Sequence, residues 1–209
     1  MYTNILTPTA LELFPSLSAF KHDFYLAGGT GLALQIGHRI SVDFDLFSEA
    51  PVRKALLKNL EGLHQGSTRE VLVSGRSELT AMIAGVKFTF LQYPFPVILP
   101  FNASGPIPIL AVQEILATKA YTIGRRGELK GYIDIDFGLC GGHASLGDVI
   151  ALARRKFGDA FNDRLFLEQL VYLDDVEAVG VTMTDGQIPS KGELADYFSE
   201  LIQRETLLA

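Results

Sequence analysis

The chain has 209 residues and a mass of 22.8 kDa, room for one ordinary domain or two small ones but not for a large multidomain machine. Hydrophobic residues at 48% and charged residues at 20% exclude a disordered or fibrous chain, and a single cysteine, Cys140, excludes an intramolecular disulfide framework and a Cys-rich zinc site. Eighteen Lys+Arg against 24 Asp+Glu leave a net charge of -6, which excludes blanket coating of nucleic acid but leaves a local basic patch open.

Residues 1–13 lack a basic region followed by a sustained apolar run, and no window reaches the roughly 18 apolar residues of a membrane span. A cytoplasmic protein with no membrane partner is the expectation. From Thr9 to Phe20 the apolar residues Leu11, Leu13, Phe14 and Leu17 fall at partly helical spacing, with Pro15 as a break. Asp23–Ala27 reads as a short strand entering Gly28-Gly29-Thr30, and Gly31–Arg39 as a helix. Ser41–Phe47 alternates as a strand, with Val42, Phe44 and Leu46 on one face and Asp43 and Asp45 on the other. Pro51 opens a helix carried by Val52–Leu63.

Three further runs, Glu70–Ser74, Leu79–Ala84 and Val86–Gln92, have strand character. From Tyr93 to Pro108 the chain holds five of its nine prolines, which marks a junction between two lobes. Beyond it the period changes, and Ala111–Ile123, Leu129–Leu139, Ser145–Phe157, Asp163–Leu170 and Gly192–Leu208 read as helices. Ser145 with Asp148 has the spacing of a capping box. The fold class expected is α/β (α+β), a small mixed sheet with flanking helices over residues 1–100 and a helical domain over residues 101–209.

The chemistry concentrates in Gly28-Gly29-Thr30, the helix that follows, and Asp43-Phe44-Asp45. Two carboxylates at i and i+2 of a strand project from one face, roughly 7 Å apart by the strand rise, and suit oxygen ligation of hard cations such as Mg²⁺. Paired glycines before a helix let backbone N–H groups approach a phosphate, and the Thr30 hydroxyl is a further donor. Phosphate at one end and metal at the other is what nucleotidyl transfer requires.

The segment YLAGGTGLALQIGHRISVDFDLFS closely resembles the signature of the AbiEii/AbiGii toxin family, a branch of the DNA polymerase β-type nucleotidyltransferase superfamily. VKFTFLQYPFP, the run from Gln113 through Lys119 and Arg126 to Asp134, and LVYLDDVEA resemble its later segments. The resemblance implies that Gly29 and Thr30, with Gly28 beside them, bind a nucleoside triphosphate. It also implies that Asp43 and Asp45 hold Mg²⁺ (or Mn²⁺), that Lys119 reaches the phosphates, and that Asp134 is the downstream acid. Arg39 and Arg126 join the candidate nucleotide-binding set. The basic cluster Lys119, Arg125, Arg126 and Lys130 also reads as a solvated helix end, alternatively receiving an RNA strand or the triphosphate, and His38-Arg39 as a favourable charge at a helix C-terminus, with Arg39 left open.

Two departures stand out. The strand that should carry the superfamily's third carboxylate, Lys87-Phe88-Thr89-Phe90-Leu91, has no acid, so either Asp134 or Glu70 supplies it, or activity is weak. Lys130-Gly131 replaces a family Arg/Lys-Asp pair. Cys140 reads as a buried or half-buried thiol before a Gly141-Gly142 helix stop, Arg154-Arg155-Lys156 as a solvated helix face, and Asp174, Asp175 and Glu177 as an acidic turn. The expected function is a metal-dependent nucleotidyltransferase, the toxin of a toxin–antitoxin or phage-defence pair, transferring NMP from NTP to an RNA (tRNA-like) acceptor, with a cognate antitoxin as partner. The alternatives are transfer to a small molecule or a protein, and a catalytically weak nucleotide-binding regulator.

Overall fold

The computed structural model describes residues 1–53, 55–61, 63, 69–123, 125, 127–177 and 180–208. The chain divides into two compact units, Met1–Ala111 and Val112–Ala209. Among the described residues no helix is long and apolar enough to cross a membrane.

The first unit begins with helix α1 (Pro8–Leu13), whose N-cap Thr7 accepts the Ala10 N–H, and a 3-10 helix, Phe14–Phe20. Pro15 explains the change of helix type, because it has no N–H to continue the α-helical ladder. Strand β1 (Tyr25–Leu26), helix α2 (Gly28–Ile36) and strand β2 (Phe44–Ser48) follow. Helix α3 (Leu56–Glu61) starts well past Pro51. Strands β3 (Arg69–Ser74), β4 (Glu78–Ile83) and β5 (Val86–Gln92) complete a five-stranded sheet of order β1-β2-β5-β4-β3. β2 runs parallel to β5, while the other neighbours are antiparallel.

Alternation assigns the two faces of this sheet. Phe44 and Leu46 of β2, Phe88 and Phe90 of β5, and Leu79, Ala81 and Ile83 of β4 are buried together beneath the N-terminal helical segment. The Phe90 ring meets Phe20 at 4.9 Å and Phe24 at 5.1 Å, both edge-on, the geometry that the ring quadrupoles favour. The residues between them, among them Asp45, Lys87 and Thr89, form the open face. The proline-rich stretch packs within this unit: the Leu26 N–H donates to Pro108 O and the Leu110 N–H to Leu26 O, which satisfies the outer edge of β1.

The second unit is helical: α4 (Val112–Ile123), α5 (Leu129–Cys140), α6 (Leu146–Phe157), α7 (Asp163–Val171) and α8 (Lys191–Leu208). The capping box at α6 forms in both directions between Ser145 and Asp148. Helices α4 and α6 are joined by Tyr121 stacked on Phe157, with ring centroids at 4.2 Å. They are also joined by an ion pair of Glu114 and Lys156 at 2.5 Å, both side chains 0% exposed. Lys156 is therefore not part of a solvated face, contrary to the sequence expectation, because its partner lies on a helix forty-two residues earlier. Removing one member of a buried pair strands the other charge in a low dielectric, whereas an apolar pair of similar volume is tolerated. Glu114→Ala is expected to cost about 3–5 kcal/mol in urea unfolding, and the double change Glu114→Leu with Lys156→Met to recover most of that loss.

Candidate active site

The turn from β1 into α2 builds the site. Tyr25 and Leu26 pair with Phe47 and Leu46 of β2, and the Ala27 N–H donates to Asp45 O at 2.9 Å, extending the ladder by one residue. The chain then enters α2 through Gly28 at φ +62, a left-handed conformation that glycine adopts at little cost. A Cβ at Gly28 would collide with the Asp45 carboxylate, and a Cβ at Gly29 with the Arg39 guanidinium. Gly28 is thus required by close approach as well as by backbone conformation. The first α-helical bond here runs from the Gly31 N–H to Ala27 O, so the N–H groups of Gly28, Gly29 and Thr30 have no carbonyl within the helix. With the positive end of the helix dipole, they make a seat for an anion.

Thr30 does a different job from the expected one. Its side chain is buried, its hydroxyl donates to Asp43 O, and Ser41 Oγ lies 2.6 Å away. A hydroxyl carries one proton, so Ser41 donates to Thr30 and Thr30 to Asp43. The hydroxyl expected as a phosphate donor is spent inside the protein, tying α2 to the acidic segment. From Thr30 the backbone N–H remains for a ligand.

Asp43 immediately precedes β2 and Asp45 lies within it. The strand begins at Phe44, so Val42, expected on the buried face, is instead 50% exposed. In the parallel β2–β5 ladder Phe44 pairs with Phe88 and Asp45 with Thr89. One step back along both chains, Lys87 Nζ lies 2.9 Å from Asp43 Oδ2. The strand expected to carry a third carboxylate therefore sets a lysine beside one aspartate and a threonine beside the other. Glu70 does not repair this. It is on β3, three strands from β2, about 14 Å by the inter-strand spacing.

Helix α2 ends at Gly37, φ +74, whose N–H caps Ala33 O. His38 and Arg39 are thus beyond the helix, not in its last turn where the sequence places them, and both are buried. The Arg39 guanidinium is packed against Gly29, at the anion-binding end of α2.

In the second unit Lys119 of α4 and Asp134 of α5 form an ion pair at 2.7 Å, with the acid fully buried. A Cβ at Gly138 would come within 2.5 Å of Leu116 Cδ2. Leu116 and Lys119 are one turn apart on α4, as are Asp134 and Gly138 on α5, so the missing side chain lets the two helices approach closely where the ion pair forms. Asp136 faces elsewhere, as helical spacing requires, and accepts from Cys140 Sγ at 3.4 Å. Cys140 is exposed rather than buried or half-buried, and desolvation raises its thiol pKa, which suits neither a nucleophile nor a metal ligand. Arg125 is folded over the Tyr121 ring at 3.9 Å and donates to Tyr121 O and Ala160 O. Arg126 lies outside the described residues.

An acid pair set against an open helix N-terminus on a mixed sheet suits phosphoryl or nucleotidyl transfer. The family model described as nucleotidyl transferase AbiEii toxin, type IV TA system, matches residues 12–98. An uncharacterized protein of Aquifex aeolicus (strain VF5) is 30% identical over 171 residues, 79% of this chain and 81% of its own. A candidate nucleotidyltransferase from H. pylori superposes with a TM-score of 0.60 over 97% of this chain and 99% of its own, at 17% identity. MenT4, the nucleotidyltransferase toxin Rv2826c of Mycobacterium tuberculosis H37Rv, gives 0.59 over 91% and 80%, also at 17% identity. The two solved structures establish the fold. The chain belongs to the AbiEii nucleotidyltransferase toxin family.

Thr30→Val keeps the shape of the side chain and removes the proton that Asp43 O accepts. The expected outcome is a loss of about 1–3 kcal/mol in urea unfolding, the cost of leaving a buried acceptor unpaired. Ser41→Ala is expected to cost less, because Thr30 still donates to Asp43 in its absence.

Proposed function

We propose that the protein transfers an NMP from an NTP to a hydroxyl of an RNA acceptor, tRNA-like in form, as the toxin partner of a cognate antitoxin. The observation that carries the reading is the packing of the α2 N-terminus on Asp45, which sets free backbone N–H donors beside a carboxylate pair. The triphosphate is held by the N–H groups of Gly28, Gly29 and Thr30 together with Arg39. Asp134 positions the Lys119 ammonium, and this is the role left to the acid named downstream.

Among the described residues no group of three or more His, Cys, Asp or Glu is arranged to hold a metal. Asp43 and Asp45 nonetheless fit Mg²⁺ or Mn²⁺, since Mg²⁺ in phosphate-transfer sites commonly takes one or two carboxylates and completes its shell with phosphate oxygens and water. Such an ion would neutralise charge at the reacting phosphate. The residues of the chain orient the triphosphate so that the acceptor oxygen attacks the α-phosphorus, forming the new P–O bond as the bond to the β-phosphate oxygen breaks. The acceptor proton passes to solvent and pyrophosphate leaves.

One observation favours a second reading. With Lys87 and Thr89 where a third carboxylate is expected, the chain has no evident base on β5 for the acceptor hydroxyl, which suits a regulator that binds nucleotide without turning it over. Incubation of the purified protein with total tRNA and each α-³²P-labelled NTP distinguishes them. Label on RNA that falls about a hundred- to a thousandfold in Asp43→Asn and in Asp45→Asn, a drop typical of lost electrostatic stabilisation, is the expected result. Nucleotide binding by calorimetry with no pyrophosphate released from any NTP would replace the transferase reading with the regulator.

A further inference from the structure

The feature that the proposed reaction leaves unexplained is Lys87. It is placed by β5: Val86, Phe88 and Phe90 go into the core, which turns Lys87 and Thr89 to the open face. The parallel register with β2 then brings the Lys87 ammonium to 2.9 Å from Asp43 Oδ2. Each partner remains partly solvated, with side chains 40% and 34% exposed, so the contact exchanges at modest cost. The Asp43 oxygen it occupies is one that a divalent ion would need. The charge balance points the same way. Asp43 and Asp45 contribute two negative charges, and Lys87 with Arg39, which is packed against Gly29 at the same helix end, contributes two positive ones. Without nucleotide these four groups sum to zero and offer a bare divalent ion little net attraction. A nucleoside triphosphate brings several negative charges, enough to attract the ion and to give the displaced ammonium a new partner.

Resting on the transferase reading of Asp43 and Asp45, we infer that Lys87 is a positioning residue that stands in for the metal. It holds Asp43 in the absence of nucleotide and releases it when metal and triphosphate arrive together, moving its charge onto the phosphates. Loading of the ion is thereby coupled to nucleotide. Because linkage is reciprocal, the nucleotide binds more tightly with the ion by the same factor. The device also accounts for an acid pair that works without a third carboxylate, since the triphosphate itself supplies the missing negative charge.

The test uses the full chain and Mn²⁺ alone, with binding read from the electron paramagnetic resonance signal of the free ion. Lys87→Met is expected to tighten Mn²⁺ binding about tenfold, the effect of removing a unit charge a few ångströms from a partly solvated site. Lys87→Arg, which keeps the charge, should stay within about twofold of the parent by the same reasoning. Repeating the titration with the α,β-methylene analogues of the four NTPs should show a large gain in Mn²⁺ affinity for the parent and a smaller one for Lys87→Met. Lys87→Gln serves in place of Lys87→Met should the latter not fold, as judged by its thermal transition. Unchanged Mn²⁺ affinity in both neutral variants, alongside binding that is lost in Asp45→Asn, would overturn the role of Lys87 and leave the metal reading of the acid pair intact. No Mn²⁺ binding to the parent or the neutral variants, with or without an analogue, would overturn both.

Discussion

The first unit depends on one close approach, the backbone of Gly28 against the carboxylate of Asp45. A helix N-terminus attracts anions generally, and a strand carrying Asp-x-Asp is common on protein surfaces; neither alone makes a site. Here the two are held together by Gly28, which leaves no room for a Cβ, and by the proton chain from Ser41 through Thr30 to the carbonyl of Asp43. The chain thus spends a buried hydroxyl, on the order of 1 kcal/mol of net stabilisation, to hold the segment bearing one carboxylate against the helix whose first turn meets the other.

The second unit solves a similar problem with charge. Among the ion pairs that cross between its helices, Lys119 with Asp134 and Lys156 with Glu114 bury the acid completely. The second is fully buried, a costly arrangement unless both charges are present, and it holds α4 against α6. The first leaves its lysine partly exposed while sinking the acid. Gly138 sets the α4–α5 spacing that brings the pair within reach.

Much of this was legible from residues alone, and the pattern of success is physical. β5 begins and ends where alternation placed it, and α6 begins behind the Ser145 cap, because period and capping are local properties of a few consecutive residues. Boundaries set by backbone geometry were less visible. α2 begins at Gly28 and stops at Gly37, and α3 waits until Leu56, since glycine permits both entry and exit and Pro51 only permits a start. The acids of the candidate site were evident from spacing, yet the fate of the Thr30 hydroxyl was not, for a threonine beside a glycine pair serves equally well as a phosphate donor or an internal tie.

The sequence by itself determined the kinds of groups present: an acid pair at the start of a strand, a glycine-opened helix, a basic helical segment and a β5 without a carboxylate. Tertiary structure decided which of them meet. Lys87 and Asp43 are brought side by side by the lateral register of two parallel strands, and Lys156 and Glu114 by the packing of two helices, contacts between residues more than forty positions apart that leave no local periodic trace. Hydrophobic alternation says which way a side chain points, but only the assembled sheet and the packed helices say what it faces.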